Sequence, residues 1–142
     1  MKRKAVITVS AKTRYADAKR EKSIYTVSGT MEETAAGWQL VYAEPAESGM
    51  AGTLTVLDIS PGRVVLTRSG AVTHNFIFSQ GDTFSTVYET PYGRLNTEIH
   101  TGALRARLNL HGGAVEVSYE LTIGGVQSEH QLSLRVRTEE KS

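Results

Sequence analysis

Apolar and polar residues alternate with a period of two along most of this 142-residue chain. Near its beginning, Ala5, Ile7 and Val9 alternate with polar neighbours, and near its end Leu134 and Val136 do the same. Successive side chains of a β-strand point to opposite faces, so each such run predicts a strand with one apolar and one polar face. Apolar residues at helical spacing are never sustained over three turns, which argues against a long amphipathic helix.

Turn-forming residues separate these runs at intervals of about ten residues, a spacing typical of sandwiches and barrels. In Ser60–Arg63, Pro61 fixes φ at the second position and Gly62 tolerates a positive φ at the third, which favours a type II turn. The pairs Gly112–Gly113 and Gly124–Gly125 supply the positive φ values that two-residue hairpin turns require. The strands are therefore expected to pair with their sequence neighbours.

The short connections predict an all-β protein, an antiparallel up-and-down meander in a single domain over residues 1–142. The runs 95–101 and 104–110 are interpreted as separate strands, which brings a coarse count to ten or eleven. An open sheet of that size would have two unpaired edges and one face exposed to solvent, whereas closing the sheet into a barrel buries the single apolar face. We therefore expect a closed β-barrel of about eight to ten strands, whose interior holds side chains or one small ligand.

The composition is that of an ordinary globular protein, with 39% hydrophobic and 22% charged residues. Cysteine is absent, which excludes disulfides, a thiol nucleophile and thiolate metal sites, and fits a reducing compartment. No apolar run approaches the roughly 20 residues of a membrane helix, and the N-terminus does not resemble a signal peptide. These features predict a soluble, cytoplasmic protein without a membrane partner.

Positive charge is concentrated at the beginning of the chain. Residues 1–22 hold 8 of the 16 Lys and Arg residues against only Asp17 and Glu21, while residues 23–142 carry a net charge of −5. Residues 11–22 are interpreted as a charged, mobile connection. The basic segment has one aromatic residue, Tyr15, and lacks the stacking residues of single-stranded nucleic-acid grooves, so no specific nucleic-acid partner is expected.

Four segments together carry a family resemblance: Tyr42–Glu44, Ser48–Thr53, Leu66–Gly70 and Tyr88–Gly93. With these segments, the chain resembles the YwiB-like bacterial proteins, a family of unknown function. The resemblance implies a calycin-like β-barrel, the architecture shared with lipocalins and fatty-acid-binding proteins. Lipocalins carry a Gly-x-Trp element near the N-terminus, whereas here the adjacent pair Gly37–Trp38 stands elsewhere, so the lipocalin likeness concerns architecture alone.

Polar residues on the apolar side of the strands are the candidates for a binding site, because burying them unpaired costs free energy. Continuing the alternation of each strand places seven such residues inside the barrel. They are Tyr42, Glu44, Arg68, His74, Tyr88, Tyr119 and His130.

Glu44 and Arg68 stand at strand ends that could meet at one rim of the barrel. The planar fork of Arg68 suits a carboxylate or phosphate of a bound molecule. An internal ion pair with Glu44 that closes the rim explains the same residues equally well. Both interpretations remain open at this point.

The sequence indicates neither a catalytic nor a metal site. The four histidines, His74, His100, His111 and His130, are never two or four residues apart, so no metal-ligand spacing is present and no cofactor is expected. No Ser lies in a Gly-x-Ser-x-Gly element, and most carboxylates fall on outward positions.

Three functional hypotheses follow. The first is a non-catalytic protein that binds a small amphipathic or anionic molecule in the barrel lumen. The second is a protein-interaction module that uses the basic N-terminal segment or a sheet edge, with the barrel as a scaffold. The third is an enzyme with His74 or His130 as acid or base. The sequence is compatible with a monomer and with a homodimer.

Overall fold

The computed structural model describes residues 2–71, 73–90 and 92–139, without the side chains of residues 88–90. None of the described residues lies in a helix long and apolar enough to cross a membrane. A single 3-10 turn, Ala46–Ser48, interrupts the strands. The strands are β1 (Lys2–Tyr15), β2 (Arg20–Glu33), β3 (Trp38–Ala43), β4 (Thr53–Ser60), β5 (Arg63–Gly70), β6 (His74–Ser79), β7 (Thr83–Thr90), β8 (Gly93–Asn109), β9 (Gly112–Ile123) and β10 (Val126–Thr138).

All ten strands belong to one antiparallel sheet in the order β6-β5-β4-β3-β2-β1-β10-β9-β8-β7. Each strand pairs with its sequence neighbour except at β6 and β7, which form the two ends of the ladder. The first strand pairs with the last, with Ala5 opposite Thr138. Because β6 also packs against β7 and β8, the sheet curls into a nearly closed barrel. The predicted all-β, up-and-down barrel is confirmed, with a seam between β6 and β7.

The segments 95–101 and 104–110 are not two strands as the sequence suggested. Most of them lies in β8, in which the pairing with β9 shifts register between Thr101 and Ala103. A bulge adds one residue to a strand and reverses which positions face inward. Ile99 and Thr101 are therefore buried before the shift, and Leu104 packs on the core after it.

The glycine turns behave as predicted at two of three places. Gly62 has a φ of 73°, and Gly124 and Gly125 have φ values of 57° and 84° in the β9–β10 turn. Gly112 and Gly113 have the predicted positive φ values, 120° and 143°, but their place in the turn is wrong, since they begin β9 and the turn lies before them. A Cβ on either glycine would overlap a backbone carbonyl oxygen of a neighbouring strand, so close approach explains both glycines.

The apolar side chains face the barrel interior and fill it with one packed cluster. Burial of apolar surface stabilises such a core by about 25 cal/mol per Å². The buried hydrophobic residues are Ala5, Ile7, Val9, Tyr25, Met31, Leu40, Tyr42, Leu57, Ile59, Val64, Leu66, Phe76, Phe78, Ile99, Val115, Val117, Leu134 and Val136.

The charged segment 11–22 differs from its interpretation as a connection. Its first residues continue β1 to Tyr15, and its last belong to β2 from Arg20 onward. The two strands pair up to Arg14 and Arg20, so only a short turn separates them. The charges are therefore held on a paired hairpin.

Candidate functional site

The inner face of the barrel changes from apolar to polar along its axis. On β5, Val64 and Leu66 are followed inward by Arg68, and on β6, Phe78 and Phe76 lead to His74. Since Arg68 pairs with His74 in the ladder, these two polar residues lie at the same end. We call the polar residues of this end the inner polar cluster. They are Tyr25, Tyr42, Glu44, Thr55, Arg68, His74, Tyr119 and His130.

Glu44 lies at the centre of the inner polar cluster, just after β3, with only 5% of its surface exposed. The hydroxyl of Tyr25 donates a hydrogen bond to Oε1 at 2.9 Å, and the hydroxyl of Thr55 donates one to Oε2. The Arg68 Nε atom lies 3.7 Å from Oε2. The carboxylate is thus held by two hydroxyl donors and one cation, an arrangement that a buried charge needs.

Arg68 is less completely partnered than Glu44. Its distance of 3.7 Å from Glu44 exceeds that of a hydrogen bond, and its buried Nε atom has no hydrogen-bond partner among the described residues. The side chain keeps 14% of its exposure, so it is not completely shielded from solvent. A guanidinium has five N–H donors in a fixed plane, and the Nε donor of this one is not used in a hydrogen bond to the described residues. The internal pairing of Arg68 with Glu44, one of the two interpretations left open by the sequence, is therefore present, with the Arg68 Nε atom beyond hydrogen-bond distance.

The tyrosines of the inner polar cluster are held in their neutral form. Burial raises the pKa of Tyr25 above its usual range, and the neighbouring Tyr42 and Glu44 add to the effect. Burial likewise raises the pKa of Tyr42, with a further contribution from the charge of Glu44. Burial raises the pKa of Tyr119 to about 12, although Arg68 lowers it in part. Near neutral pH these hydroxyls act as hydrogen-bond donors and not as anions.

A row of ring contacts crosses the barrel from β6 to β10. His74 stacks on Phe76 with ring centres 4.9 Å apart, and Phe78 meets Tyr119 at 4.7 Å. Tyr119 in turn stacks on His130 at 4.9 Å. Rings at these distances gain stabilisation beyond that of buried area alone. The row therefore fixes the positions of both inward histidines.

His130 is further fixed by hydroxyl groups on both ring nitrogens. Thr13 lies opposite it on β1, with its hydroxyl 3.2 Å from Nδ1, and Ser128 is 2.7 Å from Nε2. Burial lowers the pKa of His130. Burial, followed by the charge of Arg68, lowers the pKa of His74 to about 4. Both rings are therefore neutral at physiological pH.

The low pKa of His74 predicts a loss of stability in acid. The ordinary pKa of histidine is 6.5, so between pH 6.5 and about 4 the unfolded chain binds the proton more readily than the folded one. Stability is fully present above pH 6.5 and decreases as the pH falls through this window. His74→Phe keeps a ring on Phe76 and should remove about 1–2 kcal/mol of this pH dependence, a value reduced for solvent screening at a half-buried site.

Urea unfolding of the wild type and of His74→Phe at pH 7.0, 5.5 and 4.0 measures the effect. His111→Gln, an exposed histidine on the turn before β9, is the control and should keep the wild-type pH dependence. An unchanged slope in His74→Phe would show that His74 is not held neutral by its surroundings.

The structure brings together six of the seven residues predicted from the sequence. The side chain of the seventh, Tyr88 on β7, lies outside the described part of the chain. Two residues of the cluster were missed, Tyr25 and Thr55. The alternation of Leu57 and Ile59 continued backward would have indicated Thr55, which lies directly opposite Arg68 in the ladder.

Among the described residues, no group of three or more His, Asp or Glu side chains is placed to hold a metal ion. The two inward histidines, His74 and His130, lie at opposite ends of the row of rings. The arrangement provides one cation, one carboxylate, neutral hydroxyls and flat rings. These groups are suited to binding a polar or anionic molecule.

The fold and this interior define a nearly closed ten-stranded antiparallel barrel with one polar end. A model of the domain of unknown function DUF1934 matches residues 7–134, and the chain belongs to this family. The crystal structure of the ywiB protein from Bacillus subtilis is similar, with a TM-score of 0.84 and 20% sequence identity over 98% of this chain and 94% of that chain. At that identity the similarity concerns the fold. No curated protein matches the chain.

Proposed function

We propose that this protein is a non-catalytic binder of a small amphipathic or anionic molecule, with Arg68 as the contact for its anionic group. The observation that carries the proposal is the state of Arg68: a mostly buried guanidinium whose Nε makes no hydrogen bond to the described residues. Glu44 already accepts hydrogen bonds from Tyr25 and Thr55. A carboxylate or phosphate that reached the guanidinium would supply the charge-assisted hydrogen bonds it lacks.

The packed core limits where such a molecule binds. Apolar side chains fill the interior beyond Leu66 and Phe76, so the ligand contacts the polar end and does not cross the lumen. The half-buried ring of His74, which stacks on Phe76, offers an apolar surface near Arg68 for the non-ionic part of the ligand. The neutral tyrosine hydroxyls add donors without adding negative charge.

Binding is tested with two probes, octanoate and inorganic phosphate, by titration calorimetry and by the rise in melting temperature. We expect at least one probe to bind the wild type and Arg68→Met to bind it at least about tenfold more weakly, as for the loss of one charge-assisted hydrogen bond. Arg63→Met, an exposed arginine on the same strand, is the matched control and should bind like the wild type.

If Arg68→Met folds poorly, the double variant Glu44→Leu/Arg68→Met is used in its place in the binding test, because it removes both charges. Native mass spectrometry of protein purified from its own host would identify a co-purifying molecule and count the subunits. The proposal is wrong if neither probe binds and nothing co-purifies, or if the Arg68 variants bind as the wild type does.

A second candidate function is a protein-interaction module. The observation in its favour is the seam between β6 and β7. Among the described residues these two strands are the ends of the sheet, and the ladder does not pair their outer edges with each other. A partner strand is able to pair with such an edge through backbone hydrogen bonds. In that case a partner would co-purify with the wild type and with Arg68→Met alike.

A further inference from the structure

Four cations lie on the outer face of the β1–β2 hairpin, and they face one another in like-charged pairs. Lys12 is directly opposite Lys22, and Arg14 is directly opposite Arg20. Like charges at directly opposed positions destabilise a sheet. We call these four residues the basic quartet.

No carboxylate of the described residues forms an ion pair with the basic quartet. The ion pairs among the described residues join Lys19 to Asp17 and Arg68 to Glu44, and neither includes a quartet residue. Glu129 lies opposite Arg14 on β10 without forming an ion pair with it. Among the described residues, the repulsion within the quartet is therefore not relieved by an ion pair, and only at Arg14 does an opposed carboxylate, Glu129, reduce it.

The basic quartet forms one wall of a cleft of about 690 Å³. The four cations occupy two neighbouring rows of outward-facing positions that run across the sheet. Both rows continue through β10, β9 and β8, and the bulge of β8 lies at the far side of the cleft. Bulges bend a sheet locally, which accounts for a hollow on the outer face. The volume is in the range of small-molecule sites. The outward residues that continue the rows are Gln131, Ser118, Glu129, Glu120 and His100, and Gly102 in the bulge of β8 also lines the cleft.

The charges of the cleft are unevenly distributed. The four cations on β1 and β2 stand beside one carboxylate of those strands, Glu21, whereas Glu120 and Glu129 lie on β9 and β10. Glu120 accepts a hydrogen bond from Gln127 at 3.4 Å, and Glu21, which also lines the cleft, accepts one from Tyr15 at 3.0 Å. An anion is therefore drawn to the β1–β2 wall and repelled from the opposite one.

We propose that this cleft binds a compact anion with two or more phosphate groups, held by the basic quartet. Neighbouring strands lie about 4.8 Å apart, and alternate residues about 6.6 Å, so the quartet brackets a few linked phosphates. The forks of Arg14 and Arg20 fit phosphate oxygens in pairs, and Lys12 and Lys22 add point charges.

A compact ligand fits the cleft better than a nucleic-acid strand does. A strand that crossed the cleft would pass Glu120 and Glu129, which repel its backbone. Three rings line the cleft, but Tyr119 and His130 are stacked on each other and turned inward, so His100 alone is available on the outer face, whereas strand-binding grooves stack successive bases on several rings. The basic quartet lies on the outer face, whereas Arg68 lies on the inner face and does not line the cleft; Tyr119 and His130 of the inner polar cluster border it.

The test is calorimetric titration of the full chain with inorganic triphosphate. Lys12→Gln/Lys22→Gln removes one opposed pair, and Lys4→Gln/Arg135→Gln is the matched control, with the same change of charge at outward positions of β1 and β10 outside the cleft. We expect the cleft variant to bind at least about tenfold more weakly and the control to stay within about threefold of the wild type.

A second readout distinguishes a binding role from a structural one. Without ligand, Lys12→Gln/Lys22→Gln should melt at a higher temperature than the wild type, because one repulsive pair is gone. Arg68→Met should bind triphosphate as the wild type does. The proposal for the cleft and the proposal for Arg68 can therefore be refuted independently of each other.

Three outcomes would overturn the proposal. In the first, triphosphate does not bind the wild type, or binds the cleft variant equally well. In the second, the control loses as much affinity as the cleft variant, so net charge alone explains binding. In the third, a single-stranded oligonucleotide binds and triphosphate does not displace it, which would make the surface a nucleic-acid site.

Discussion

Replacing Glu44 by leucine is expected to lower the free energy of unfolding by about 3–5 kcal/mol, the usual cost of removing one partner of a buried ion pair. Glu44→Leu leaves the charge of Arg68 in the barrel without its carboxylate, and it removes the acceptor for Tyr25 and Thr55. Since small proteins are stable by only about 5–15 kcal/mol, a large part of the total stability is lost.

Urea unfolding of the single and double variants separates the two contributions. Glu44→Leu/Arg68→Met should recover much of the loss, because apolar residues replace both charges. Glu116→Leu, which changes an exposed carboxylate on β9, should stay within about 0.5 kcal/mol of the wild type. A loss below about 1 kcal/mol for Glu44→Leu, or a double variant no more stable than the single one, would contradict the ion-pair interpretation.

Phe78→Ala should cost about 3–5 kcal/mol, the range for removing a buried aromatic side chain. Phe78 is fully buried on β6 at the seam of the barrel. Its ring contacts Phe76 at 6.3 Å and Tyr119 at 4.7 Å, so the cavity would interrupt the row of rings that links β6 to β9.

Chemical unfolding of Phe78→Ala gives the loss directly. Ile24→Ala on β2 is the control, because Ile24 is 64% exposed and should change stability by no more than about 0.5 kcal/mol. If Phe78→Ala unfolds like the wild type, the contact of β6 with β9 does not contribute to closing the barrel.

Period-two alternation was sufficient to predict the strands and the barrel, because a strand with one apolar face must bury that face. The break between residues 101 and 104 was interpreted as the end of a strand. A bulge produces the same change of phase within a continuous strand, and the pairing of β8 with β9 is needed to distinguish the two. Gly112 and Gly113 were likewise ambiguous, since a turn and a close backbone contact both require glycine.

The inner polar cluster was partly predictable for the same reason. Arg68 and His74 continue strong alternating runs, so their inward direction follows from the local pattern. Tyr25 belongs to a strand with weaker alternation, and its contact with Glu44 depends on how β2 and β3 fold against each other. The sequence showed the basic quartet as part of a run of charged residues. Which of these residues oppose one another depends on the pairing register of β1 with β2, which the sequence pattern alone does not give.

The pairing of β1 with β10 has a consequence for how the protein is made. On the ribosome, β1 emerges before the other nine described strands, and its second neighbour, β10, is synthesised after them. Until β10 has been synthesised, one backbone edge of β1 is unpaired and is able to form hydrogen bonds with another nascent chain. Closure of the barrel must therefore follow translation of Val126–Thr138, and the long separation between the partners predicts slow completion of folding.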